Sequence, residues 1–171
     1  MCVIIYKPAG VMMPGEQILR AAAAANRDGC GLMTAAGYIR KCLYSDLDQF
    51  LDELRGIPAN VAAAVHFRWA THGSVKVGNC HPFIYKDFAM MHNGVLPIKS
   101  THDRTDSQIF LQQSLGPMLQ AFGAASDVVG ATLDSTGCRF AILDKRQKQI
   151  SIFGKWMMID GVFYSNLRFV R

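Results

Sequence analysis

The chain predicts an α+β fold in which helices cover stacked sheets. Three observations carry this. Strand-like apolar runs open the chain, recur in its middle and close it. Helix-period patterns gather early and in the middle rather than alternating strictly with strands. The length, 171 residues, with half of them hydrophobic and 18% charged, suits one globular domain with a sizeable core. Residues 1–171 are therefore read as a single domain.

Val3 to Tyr6 is a short buried strand. Pro14-Gly15 then introduces a helix rich in Ala21 to Ala25, and Asn26 with Asp28-Gly29 ends it. Cys30 to Ala36 and Tyr38 to Leu43 form a hairpin that turns at Gly37. Ser45 to Leu54 is an amphipathic helix: Leu47, Phe50, Leu51 and Leu54 share one face, and Ser45 with Asp48 resembles a capping box. Val61 to Trp69 is almost continuously apolar, as a central strand covered on both faces requires. Thr71 to Pro82 is loop. Asp87 to His92 is a strand that stops at Asn93-Gly94. Thr105 caps a helix starting at Asp106, with Gln108 in the capping-box position. That helix should end near Gly116-Pro117, and Met118, Leu119 and Phe122 continue in a second one. Asp127 to Leu133 is a further short helix. Strands at Cys138 to Leu143, Gln149 to Phe153 and Val162 to Tyr164 close the chain.

Composition excludes several functions. The net charge of +5 is mildly basic, but the cations are scattered. Their one local run, Lys145, Arg146 and Lys148, reads as a hairpin turn, so no nucleic-acid partner is expected. No stretch approaches the ~18 apolar residues of a membrane-spanning helix. The start, MCVIIYKPAG, lacks the pattern of a secretion signal, which makes the cytoplasm the default compartment. The five cysteines are odd in number and contain no C-x-x-C, against both a disulfide framework and a zinc ribbon. His66, His72, His81 and His92 with Cys80 lack the spacings of a closed metal site, so no metal and no cofactor are expected.

Five segments carry chemistry. Cys2 would hold a thiol and an α-amine on one residue if Met1 were removed, and the amine could accept the thiol proton. By position alone a buried strand cysteine is the favoured reading. In His66-Phe67-Arg68-Trp69-Ala70-Thr71-His72-Gly73 a buried strand delivers an Arg able to grip a carboxylate, or to pair with an internal acid. Asn79-Cys80-His81-Pro82-Phe83 follows. In Met90-Met91-His92-Asn93-Gly94, Asn-Gly is either a turn or a pair of donors for an oxyanion. In Arg104-Thr105-Asp106-Ser107, Asp106 sits in a first helical turn, where the helix dipole favours its charge.

In this order, Cys2, R-W-A-T-H-G, N-C-H-P-F, H-N-G and T-D-S resemble the glutaminase domain of the class II glutamine amidotransferases. The resemblance runs from residue 2 to about residue 166, where Gly161-Val162-Phe163-Tyr164-Ser165-Asn166 is similar to the strand near that domain's end. It implies a four-layer αββα sandwich of the N-terminal-nucleophile type. It implies that Cys2 attacks the glutamine side-chain amide with its own α-amine as base. Asn93 and the Gly94 backbone would form the oxyanion hole. Arg68 would hold the substrate carboxylate and Asp106 its ammonium, with Trp69, Thr71 and His72 at pocket positions. The products would be glutamate and ammonia, the latter released or passed to a separate synthase partner. Two departures stand out: Val3 occupies a position usually held by Gly, and no acceptor domain follows. A related amidohydrolase acting on another amide or γ-glutamyl compound, and a catalytically silent binding module of the same fold, are the alternatives.

Overall fold

The structure is a computed structural model and describes residues 2–70, 74–101 and 103–170. Two antiparallel sheets form its framework. The first contains β1 (Val3–Lys7), β2 (Cys30–Thr34), β3 (Ile39–Cys42), β4 (Ala63–Phe67), β9 (Met157–Ile159) and β10 (Val162–Tyr164), in the order β3-β2-β4-β1-β10-β9. The second contains β5 (Phe83–Tyr85), β6 (Phe88–Asn93), β7 (Arg139–Asp144) and β8 (Gln149–Phe153), in that order. Helices α1 (Glu16–Ala24) and α2 (Leu47–Arg55) lie between strands of the first sheet in sequence; α3 (Asp106–Phe110), α4 (Gly116–Phe122) and α5 (Asp127–Ser135) lie between β6 and β7.

Strand alternation distributes the apolar residues over three clusters. Val3 and Ile5 of β1, with Ala63, Val65 and Phe67 of β4, pack against Leu19, Ala22 and Ala23 of α1 and Leu47, Phe50, Leu51 and Leu54 of α2. Ile4 and Ala64 point the other way and join Ala89 and Met91 of β6 with Ala141 and Leu143 of β7. Met90 and Phe140 face Leu111, Leu115, Leu119, Val129 and Leu133. Each fully buried Leu or Phe contributes roughly 1.5–3 kcal/mol of hydrophobic stabilisation. The alanines of α1 combine high helix propensity with a close approach to the sheet.

β1 ends on Lys7, which is wholly buried. Its ammonium donates to the carbonyls of Val11, Pro58 and Ala59, each at 2.9 Å. The sequence marks Lys7 only as the polar end of a strand.

Most expected elements are present, and the differences have physical causes. Ser45 does not cap α2: Tyr44–Asp46 forms a 3₁₀ turn, and Asp46 occupies the N-cap with no side-chain bond. The helix beginning at Asp106 does not stop at Gly116-Pro117. It passes through a π-helical stretch, Leu111–Leu115, into α4. Pro117 lacks an N–H and its ring crowds the preceding turn, so a locally widened helix accommodates it without a break. The capping box of Thr105 and Gln108 is present as expected. Strands β5 and β9, three residues each, were not expected.

Candidate active site

Cys2 stands at the mouth of β1 and is half-buried. The Trp69 backbone brackets its thiol: Sγ–H donates to the Trp69 carbonyl at 3.3 Å, and the Trp69 N–H donates to Sγ at 3.2 Å. The Cys2 carbonyl accepts from Asn166 Nδ2 at 2.8 Å. Burial pushes the thiol above its ordinary value, outweighing the Trp69 backbone bond and the Arg68 charge that pull it down. A thiol held neutral needs an adjacent base before it can attack.

Antiparallel pairing sets Phe67, the end of β4, opposite Val3 and Cys30. Arg68 and Trp69 therefore emerge beside Cys2. The Arg68 N–H donates to the Gly29 carbonyl at 2.8 Å and its own carbonyl accepts from the Asp28 N–H at 2.9 Å. The Ala70 N–H donates to Asp28 Oδ2 at 2.7 Å. Asp28-Gly29 thus fixes the backbone on both sides of Trp69. The Arg68 side chain is buried, and its Nη1 donates to the Ser74 carbonyl at 3.3 Å. Trp69 is half exposed.

Asn93 ends β6 in the other sheet. Its amide donates to Ser165 Oγ at 2.8 Å. The same hydroxyl accepts from the Ile4 N–H at 2.8 Å, while the Ser165 N–H donates to the Ile4 carbonyl at 2.9 Å. Ser165 is buried. One side chain thereby ties the strand carrying Cys2 to the amide of Asn93, with both of its oxygen lone pairs engaged. Gly94 has φ +152, and an added Cβ would collide with Cys138 Sγ. Both facts require glycine there.

Asp106 is the first residue of α3. Its Oδ2 accepts from the Leu96 N–H at 3.1 Å, and its Oδ1 from the Ser107 N–H at 2.8 Å and Ser107 Oγ at 3.2 Å. Ser107 Oγ also meets His92 Nδ1 at 2.8 Å.

Two recesses meet at the thiol. Cys2, Arg68, Trp69, Gly94 and Asp106 line the first, with Asn79, His81 and His92 also in its wall. It is narrow, with a cavity volume of about 40 Å³. The second, about 330 Å³, shares Cys2, Trp69 and Gly94 and adds Asn93 and Ser165. The structure thus gathers Cys2, Arg68, Trp69, Asp106, Asn93 and Gly94 around one point. Thr71 and His72 lie outside the described residues.

Sequence reasoning missed Ser165 as an anchor, Asp28 as a clamp and Asn79 as a wall. Asp-Gly reads first as a turn, and nothing local distinguishes Ser165. Three histidines meet here too. His66 and His81 are 4.2 Å apart between ring centroids. Both are buried, and their ring nitrogens have no hydrogen-bond partner among the described residues; the same holds for His92 Nε2 and Asn79 Oδ1. Burial, then repulsion from His92 and Arg68, lowers His66 to about 3. Burial lowers His92 to about 4 against the opposing pull of Asp106, and holds His81 well below the ordinary value. All three are neutral near pH 7 and offer both donors and acceptors. Among the described residues no three His, Cys, Asp or Glu side chains converge as a metal site. Nor is any helix of these residues long and apolar enough to cross a membrane.

No protein-family profile matches the chain. Short stretches of it are similar to glutamine–fructose-6-phosphate aminotransferases (isomerizing). With that of Zymomonas mobilis the identity is 48% over 40 residues, covering 23% of this chain and 6% of the relative. With that of Bradyrhizobium diazoefficiens it is 35% over 72 residues, covering 40% of this chain and 12% of the relative. The matched region is therefore a small part of those proteins. A solved structure, the glutamine phosphoribosylpyrophosphate amidotransferase from B. subtilis complexed with ADP and GMP, covers 96% of this chain and 42% of its own. Its TM-score is 0.46 and its identity 18%.

Proposed function

We propose that this chain hydrolyses the side-chain amide of glutamine to glutamate and ammonia, with Cys2 as nucleophile once Met1 is removed. The observation that carries the reading is the convergence of four distant segments on the Cys2 thiol: the end of β4, the end of β6, the start of α3 and the chain start. Similarity of short stretches to aminotransferases whose names specify glutamine supports the same substrate.

In this reading the freed α-amine takes the thiol proton. The thiolate attacks the amide carbon, and charge develops on its oxygen, facing the Asn93 amide and the Gly94 N–H. Proton return to the nitrogen releases ammonia and leaves a thioester, which water hydrolyses to glutamate. Arg68 takes the substrate carboxylate and Asp106 its ammonium. A volume of about 40 Å³ is far below the ~300 Å³ at which small-molecule sites begin. Glutamine thus enters as the lining opens, and the unpartnered Asn79 Oδ1 and His81 nitrogens gain partners then. Trp69 lines the pocket, and Thr71 and His72, outside the described residues, are kept as candidates from the sequence alone.

We take residues 1–171 as one unit and as a four-layer αββα sandwich, a reading that three apolar clusters, one containing residues of both sheets, support. The ammonia is released or reaches a separate synthase in the cytoplasm. The test is direct. Mature protein whose intact mass lacks Met1 should release glutamate from glutamine, and Cys2→Ala should abolish turnover while retaining glutamine binding. Retention of Met1 in active protein, or full activity of Cys2→Ala, would overturn the mechanism.

A further inference from the structure

The second recess has a chemistry of its own. It is eight times larger than the first by volume, about 330 against 40 Å³, and lies within the range of small-molecule sites. Its lining includes two arginines, Arg139 and Arg168, and no acidic residue. Arg139 is anchored: its Nε donates to the Lys155 carbonyl at 3.1 Å and its Nη1 to the Gly137 carbonyl at 3.5 Å. Its remaining N–H groups have no acceptor among the described residues. The Arg168 side chain makes no hydrogen bond or ion pair among them either. Asp134 shares a neighbouring hollow with Arg139, but its Oδ1 accepts the Gly154 N–H at 2.8 Å. Cys2, Trp69 and Asn166 share the wall; Asn166 Nδ2 donates to the Cys2 carbonyl at 2.8 Å, and its Oδ1 accepts the Arg168 N–H at 3.1 Å.

We propose that this cavity is a binding subsite for a small anion, its carboxylate or phosphate held by Arg139 and Arg168. The anion-binding claim stands on the two arginines and the cavity. Guanidinium suits both anions, because its planar fork matches either pair of oxygens.

The experiment uses full-length Cys2→Ala protein, so that binding is read without turnover. Inorganic phosphate and acetate are titrated separately by calorimetry, each with and without saturating glutamine. Saturable binding of at least one probe is expected, and the stronger probe identifies the anion. Arg139→Met and Arg168→Met should each weaken it by about tenfold or more, the order for one lost charge-assisted hydrogen bond. Glutamine should leave the probe's affinity within about threefold. Three results would overturn the proposal: no saturable binding of either probe, undiminished binding in the Arg139→Met/Arg168→Met protein, or competition with glutamine, which assigns the anion to the Arg68 recess. Failure of wild-type protein to release glutamate would overturn the glutaminase reading and leave the measured anion site intact.

Discussion

Acidification should unfold this protein from the inside, through its buried histidines. In the folded state His66 is lowered to about 3, from an ordinary value of 6.5. Below pH 6.5 the unfolded chain binds a proton that the folded chain refuses, so stability is complete above 6.5 and is lost as pH falls towards the folded value. Each unit in that window is worth about 1.4 kcal/mol, so moving from about pH 7.5 to about pH 5 removes about 2 kcal/mol through His66 alone. His92, lowered to about 4, removes nearly the same amount, and His81 adds to it in the same direction. A combined loss of about 4 kcal/mol or more is a large part of the 5–15 kcal/mol of a typical domain. Urea denaturation at the two pH values, with slope and midpoint fitted separately, measures it. His66→Phe and His92→Gln should each reduce the pH dependence by about 2 kcal/mol, whatever their effect at neutral pH. A midpoint that does not move between the two pH values, or pH dependence unchanged in both variants, would refute the account.

Ser165→Ala removes the acceptor shared by Ile4 and Asn93. It should cost about 1–3 kcal/mol of stability. On the proposed glutaminase reading it should also lower kcat for glutamine by about tenfold or more with KM little changed, because Asn93 loses its aim while the proposed substrate clamps remain. Arg68→Ala should instead raise KM, read from glutamate release against glutamine concentration. Lys7→Met leaves three carbonyls without their donor and should cost about 3 kcal/mol in urea denaturation, with activity per folded molecule retained. Asp28→Ala frees the Ala70 N–H; lower kcat/KM should accompany it, and Asp28→Asn, which keeps an acceptor oxygen, should restore part of the loss.

Much of this was legible in the sequence because the signals are local. Leu47, Phe50, Leu51 and Leu54 announce α2, and Thr105 with Gln108 announces the start of α3. The run 61–69 announces a strand with no exposed face, and β4 is wholly buried. The candidate site residues were legible as an ordered set of motifs, not from any one of them. What escaped depends on long-range partners. Ser45 looks like a cap but sits in a 3₁₀ turn. Strands β5 and β9 are too short for alternation to speak, and their pairing with β6 and β10 defines them. Ser165 gains its place only because β10 lies beside β1. Asp28 looks like a turn residue until its carboxylate meets a backbone N–H 42 positions away.

The pairing of β1 with β10 has a consequence for the order of events in a cell. Ile5 faces Tyr164 across the sheet, and Ser165 and Asn166 bond to Ile4 and Cys2. During synthesis at ~5–20 residues per second, roughly 8 to 30 seconds separate the emergence of the two strands. Throughout that interval β1 has no neighbour on that side. The first sheet is therefore completed only by its last strands in sequence, and Cys2 gains its Asn166 bond at that same late step.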